Sequence, residues 1–159
     1  MNRVKLVERR AKMSVVVVGI ETRATAIHID GLALSGLEDG GWNQKCDYLL
    51  VLRYDATYCG VFVELKKTLT DEEKPLEQLR HSLPFLEYLC SLCCIHFEDG
   101  APPDVEARYA VVGERGQLRL DKQAVKARPG QPVWTKSHRG ISVSALLGPT
   151  VPLAALVGV

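Results

Sequence analysis

Residues 46–53, CDYLLVLR, and 60–68, GVFVELKKT, decide how this chain is read. In the first, Asp47 opens a near-continuous apolar run ending at Arg53, the pattern of a central strand covered on both faces. The second predicts a strand over Val61–Lys67, with Phe62, Glu64 and Lys66 turned to one side and Val61, Val63 and Leu65 to the other. Alternating charges are ordinary on a solvent-facing strand edge. Phe62 on the same side, and an apolar helix pattern just downstream, argue instead for a covered face, where ionisable side chains need partners.

Sixteen residues lie between Asp47 and Glu64, so neighbouring strands would bring the two carboxylates together at one end, with Lys66 two positions along. Such a pair repels, and each member raises the other's pKa, unless a cation stands between them. Mg²⁺, or Mn²⁺ in its place, suits that position, because it takes one or two carboxylates together with waters and phosphate oxygens. Lys66 would then hold and help deprotonate the water that attacks phosphorus.

Working outward, Thr70–Glu73 fits a capping box, and Leu76, Leu79, Leu83, Leu86, Cys90 and Cys93 repeat at helical spacing. Pro84 inside that run predicts a kink or split between Arg80 and Pro84. Upstream, Val4, Val7 and Ala11 suggest a short helix over Asn2–Lys12, followed by strands at Ser14–Gly19 and Ala24–Leu34, the latter bulged at Gly31. Tyr54–Gly60 reads as a turn and Glu106–Val112 as a strand. Residues 114–139 read as extended basic loops, and Ile141–Leu147 as a last strand before an apolar tail.

The chain has 159 residues, 47% of them apolar, which suits one domain with a core at about 24–112, a basic region at 114–139 and an apolar end at 140–159. Net charge is +1, which excludes a globally polybasic binder, and ten aromatic rings are too few for a stacking surface. Local charge is uneven. Residues 115–139 hold Arg115, Arg119, Lys122, Lys126, Arg128, Lys136 and Arg139 against Asp121 alone, a candidate phosphate-contacting segment. Residues 1–14 hold five cations against Glu8, whereas 71–106 hold nine carboxylates against Lys74 and Arg80. Solvated faces are the plain alternative for each run.

Five cysteines, an odd number, argue against a secreted disulfide framework and for a cytoplasmic protein. Cys90 and Cys93 are expected on the apolar helix face as small hydrophobes rather than as metal ligands, and His28 and His96 as structural histidines. The apolar run MSVVVVGI is short and lacks a cleavage site. Glycines and prolines interrupt the uncharged last twenty residues, so neither segment predicts a membrane association.

The pair CDYLLVL and GVFVELKKT, followed by a helix carrying Glu77-Gln78-Leu79, resembles the PD-(D/E)XK nuclease superfamily. The resemblance covers residues 24–112. It implies an α/β, restriction-endonuclease-like fold with a central mixed sheet flanked by helices, and a Mg²⁺-dependent nuclease with DNA favoured over RNA as substrate. Carried over, Asp47 and Glu64 correspond to the metal-binding pair, the Leu65 carbonyl to a further ligand, Lys66 to the catalytic lysine and Gln78 to a helix glutamine of some members. An additional acid would come from Glu8, Glu21 or Asp30, with Asp30 preferred. Cys46 stands where many members have proline, and Ser82 where some have tyrosine. A domain this small would act as a homodimer or beside a larger partner. The rival expectation is a catalytically silent module of the same fold that assembles through its apolar C-terminal tail.

Overall fold

Period-two burial organises the chain. A strand packed on both faces must find two separate cores, and the longest strand here does so. The structure, a computed structural model, describes residues 2–21, 23–30, 32, 44–54, 57–69, 73–97, 103–116 and 130–158. The strands are β1 (Asn2–Glu8), β2 (Met13–Ile20), β3 (Ala24–His28), β4 (Tyr48–Tyr54) and β5 (Thr57–Leu69), followed by helices α1 (Lys74–His81) and α2 (Leu83–Phe97). Then come β6 (Val105–Gly116), β7 (Trp134–His138), β8 (Ile141–Leu147), β9 (Thr150–Pro152) and the short helix α3 (Leu153–Val157).

Six strands form a mixed sheet in the order β3-β4-β5-β6-β8-β7, and three form a small sheet in the order β1-β2-β9. β3, β4 and β5 make an antiparallel meander, β6 joins β5 in parallel, β8 joins β6 in parallel, and β7 closes the far edge antiparallel. Val61, Val63 and Leu65 of β5 enter a core with Leu6, Val15 and Val17 of the small sheet and Leu153 and Leu156 of α3. Phe62, on the opposite face, enters a second core with Leu76 and Leu79 of α1 and Leu86 of α2. The result is three layers: small sheet, large sheet, helices.

Several local expectations are corrected. Asn2–Glu8 is a strand, not a helix: Leu6 is buried and Val4 packs on the core while Arg3, Lys5 and Val7 face outward, an alternation fixed by pairing with β2. The strand expected over Ala24–Leu34 ends at His28, and Gly31 with its expected bulge lies outside the described residues. β5 begins at Thr57, within the expected turn, because Tyr54 and Thr57 already pair. Helix α1 is capped at Glu73, with Pro75 in its first turn, rather than at Thr70, which lies outside the described residues. The helical run does split within Arg80–Pro84, at Ser82. β6 runs on to Gly116, and residues 134–138 form β7 where a loop is expected, since Trp134, Lys136 and His138 share the less exposed side of a ladder with β8. The apolar C-terminal segment forms β9 and α3, whose Leu153, Ala155, Leu156 and Val157 are buried in the chain's own core. Cys93 is exposed, not on the packed face of α2. Among the described residues, no helix is long and apolar enough to cross a membrane.

Gly113 of β6, paired with Lys66 of β5, is where this packing is tightest. A Cβ there would lie 2.7 Å from Leu69 Cβ and 3.1 Å from Leu147 Cδ2, and the first of these atoms sits on a strand backbone with no freedom to swing away. Gly113→Ala is therefore expected to destabilise the fold by about 1–3 kcal/mol, the usual cost of overpacking. The check is a lowered urea midpoint with an unchanged slope.

Candidate active site

Tyr48 pairs with Val63, so Asp47, one residue before β4, stands where Glu64 would have its partner. Here the ladder hands over from backbone to side chain: the Leu65 N–H donates to Asp47 Oδ2 at 2.6 Å. The Asp47 carbonyl accepts the Ile29 N–H at 3.0 Å, tying the end of β3 to the same point. From the helical layer, Ser82 Oγ accepts the Cys46 N–H at 2.9 Å and donates to the Gln78 carbonyl at 2.7 Å. Ser82 thus closes the break between α1 and α2 and fixes the approach to Asp47. Burial pushes the Cys46 thiol well up, so it is an inert core group.

Glu64 is 1% exposed, although it carries a carboxylate. Lys66 Nζ donates to Glu64 Oε1 at 2.5 Å, and Glu64 Oε2 is buried with no hydrogen-bond partner among the described residues. Desolvation raises the pKa of Glu64, with Lys66 opposing and the charge of Asp30 adding to the rise. The Lys66 side chain, 32% exposed, keeps its ammonium within reach of solvent while Gln78 Oε1 accepts from it at 3.4 Å. Gln78 Nε2 donates to the Lys45 carbonyl at 3.4 Å. Gln78 therefore links the lysine to the chain leading into Asp47, which makes it a positioning residue.

Asp47 is 7% exposed, and its pKa is raised from 3.8 to about 8, chiefly by burial and then by the charge of Glu64. A hydrogen bond with the side chain of Glu8 raises it further, against the lowering effect of the Leu65 N–H. At Glu8 the desolvation is outweighed by the Arg10 N–H, at 2.7 Å, and by the Asp47 side chain, so its pKa is lowered. Asp30, 31% exposed at its side chain, lies 3.9 Å from Arg10 Nη1. Glu8 and Asp30 thus both border the Asp47–Glu64 pair, from β1 and from the end of β3. Of the three candidate acids, Glu8 acts on Asp47 and Asp30 on Glu64.

The donor set suits a hard cation: carboxylate oxygens in excess of local positive charge, one of them buried and without a partner. Asp47 and Glu64 would hold it. Among the described residues, no three His, Cys, Asp or Glu side chains already converge as a complete ligand set. Asp47 is engaged by Glu8 and the Leu65 N–H, and Glu64 by Lys66, so an ion would exchange with the proton on Asp47 and supplement the ammonium on Glu64.

The expected basic segment is only partly placed. Arg115 is exposed at the end of β6. Lys136 lies 5.0 Å over the Trp134 ring, and Arg139 Nη1 lies 3.3 Å from Glu77 Oε1. Glu77 also meets His138 Nε2 at 2.9 Å and Arg80 at 3.5 Å, and its pKa is lowered, first by His138. Arg119, Lys122, Lys126 and Arg128 lie outside the described residues. Sequence reasoning missed Lys45, buried at 3% beside this site; its one signal is position, two residues before Asp47. Compared with protein families, with characterised proteins and with solved structures, the chain shows no match.

Asp47 binds its proton up to about pH 8 in the folded chain but only to about its ordinary 3.8 when unfolded. The folded state therefore holds more protons across that window, and the stability this contributes, complete below the lower value, is lost as pH rises through the upper one. With chelator present, wild type should lose stability between pH 4 and pH 8, and Asp47→Asn, which keeps an acceptor for Leu65, should lose less. Urea midpoints across this range check it; parallel curves for the two proteins would show that Asp47 does not titrate in this way.

Proposed function

We propose that the chain is a Mg²⁺-dependent phosphodiesterase acting on nucleic acid, with DNA the favoured substrate. The observation that carries this is Glu64: a buried carboxylate on the central strand, with Lys66 on one oxygen, no partner on the other, and Asp47 in the facing position. Support also comes from the order of elements. An antiparallel meander, two helices and a parallel strand follow one another through β3, β4, β5, α1, α2 and β6, and the acid and lysine fall on β5 within that series. This agrees with the restriction-endonuclease-like reading of residues 24–112.

Hydrolysis forms one P–O bond from water and breaks the P–O bond to the leaving sugar oxygen, which takes up a proton. A bound Mg²⁺ supplies positive charge to the phosphate oxygens and favours loss of a proton from the attacking water. Asp47 and Glu64, with the Leu65 carbonyl as a further oxygen, hold the ion. Lys66 Nζ, anchored between Glu64 and Gln78, orients the attacking water and balances charge that develops on the phosphate. Gln78 limits the paths open to the lysine, and the protein layers on both sides of β5 keep the carboxylates from bulk water.

Purified protein should cleave DNA with Mg²⁺ or Mn²⁺ and not with EDTA. Lys66→Ala should reduce turnover by about 10²–10⁴-fold, the range for loss of a positioned proton-transfer group, while retaining a Mg²⁺-dependent rise in melting temperature. Glu64→Ala should lose both. Full turnover in Lys66→Ala, or no metal-dependent cleavage across single-stranded, duplex and RNA substrates, overturns the reading.

A further inference from the structure

On the far side of the small sheet from its core, a row of side chains crosses three strands. Lys5 of β1 pairs with Val16 of β2, and Val16 pairs with Thr150 of β9. Their outward side chains, with those of Arg3, Ser14 and Pro149, line a groove of about 470 Å³. Its floor is the half-buried Val16; one wall carries two cations and the other a hydroxyl. No carboxylate lines it, and within the described residues neither Arg3 nor Lys5 has an ion-pair partner.

We propose that this groove binds the phosphate backbone of a nucleic-acid strand and leads it toward the carboxylate site. The assignment rests on the nucleic-acid reading above and adds where the strand runs. Charge complementarity selects the occupant: two unpaired cations, hydroxyl donors and an apolar floor suit a phosphodiester chain, and they do not suit an acidic helix needing a wide apolar seat. Spacing agrees. Arg3 and Lys5 are two residues apart on one face of a strand, roughly 7 Å along it, so they meet separate phosphates rather than clamping one. Continuity is the third argument. β1 passes from this groove to Glu8, which acts on Asp47, and the turn beyond it exposes Arg9, Arg10 and Lys12, with Arg10 3.9 Å from Asp30. A basic ridge thus joins the groove to the acidic centre along a single strand and its turn.

The test uses the full chain carrying Lys66→Ala, so that substrate survives, and fluorescence anisotropy of labelled DNA oligonucleotides of 4, 8 and 12 nucleotides at several salt concentrations. Adding Arg3→Ala and Lys5→Ala should weaken 12-mer binding by about tenfold and make log K against log salt shallower by about 1.5, as expected for two lost phosphate contacts. A control pair on exposed positions, Lys67→Ala with Lys74→Ala, should do neither. Melting temperatures of all variants should match, because the side chains are exposed. Unchanged affinity and slope, or an equal loss in the control pair, overturns the groove. Inorganic pyrophosphate competing as well per phosphate as the 12-mer also overturns it, since that describes a single-anion pocket. If wild type cleaves nothing yet the Arg3/Lys5 variant loses binding, the groove stands and the nuclease reading falls; cleavage by wild type with no binding effect gives the reverse.

Discussion

A carboxylate buried on the central strand is the constraint around which this structure is arranged. Taking Glu64 out of water costs far more than a neutral side chain would, and a charge kept in such a place must be matched nearby or give up its ionisation. Lys66, on the same side of β5, supplies one match, and does so without being buried itself, which keeps the second desolvation cost small. The remaining oxygen has no partner among the described residues. Around it the chain gathers further carboxyl groups, Asp47, Glu8 and Asp30, instead of dispersing them. A stable fold alone has no use for that arrangement. On the proposed reading, a cation in the centre would offset that cost, and strain of this kind is tolerated where function requires it.

Both cores are needed to hold the site still. Val63 and Leu65 bracket Glu64 in sequence and are locked into the small-sheet core, while Phe62, stacked 5.4 Å from Tyr109, locks the other face. With neighbours fixed on both sides, the backbone at Glu64 cannot rotate to release its carboxylate to solvent. The Ser82 bridge does the same for Asp47 from the helical layer. Removing either layer would expose the pair and let each carboxylate return to ordinary hydration, which would weaken any preference for a cation.

How much of this was legible depended on the range of the forces concerned. Asp47, Glu64 and Lys66 were readable because strand alternation is local and two residues decide a face. The helix break was readable because proline acts within one turn. Residues 2–12 misled because Val4, Val7 and Ala11 satisfy helical spacing while Val4 and Leu6 satisfy strand spacing, and only β2, an element further along, decides between them. β7, β9 and α3 were invisible for a similar reason: a five-residue strand, a three-residue strand and a five-residue helix have no stability of their own and exist through partners distant in sequence.

That correction has a consequence for charge. In a helix, Arg3, Lys5 and Glu8 would spread around a cylinder, with Lys5 and Glu8 near neighbours three positions apart, and their charges would cancel. In a strand, odd and even positions part company. Arg3 and Lys5 go to the outer face, whereas Leu6 goes to the core and Glu8 follows it inward to Asp47. A nearly neutral protein is thereby able to turn cations and an acid to opposite sides of one seven-residue strand. The separation needs no long-range segregation of charge in the sequence. It needs only that β1 pair with β2 in the register that buries Leu6, so the hydrophobic effect at one leucine sets the electrostatic layout of the site.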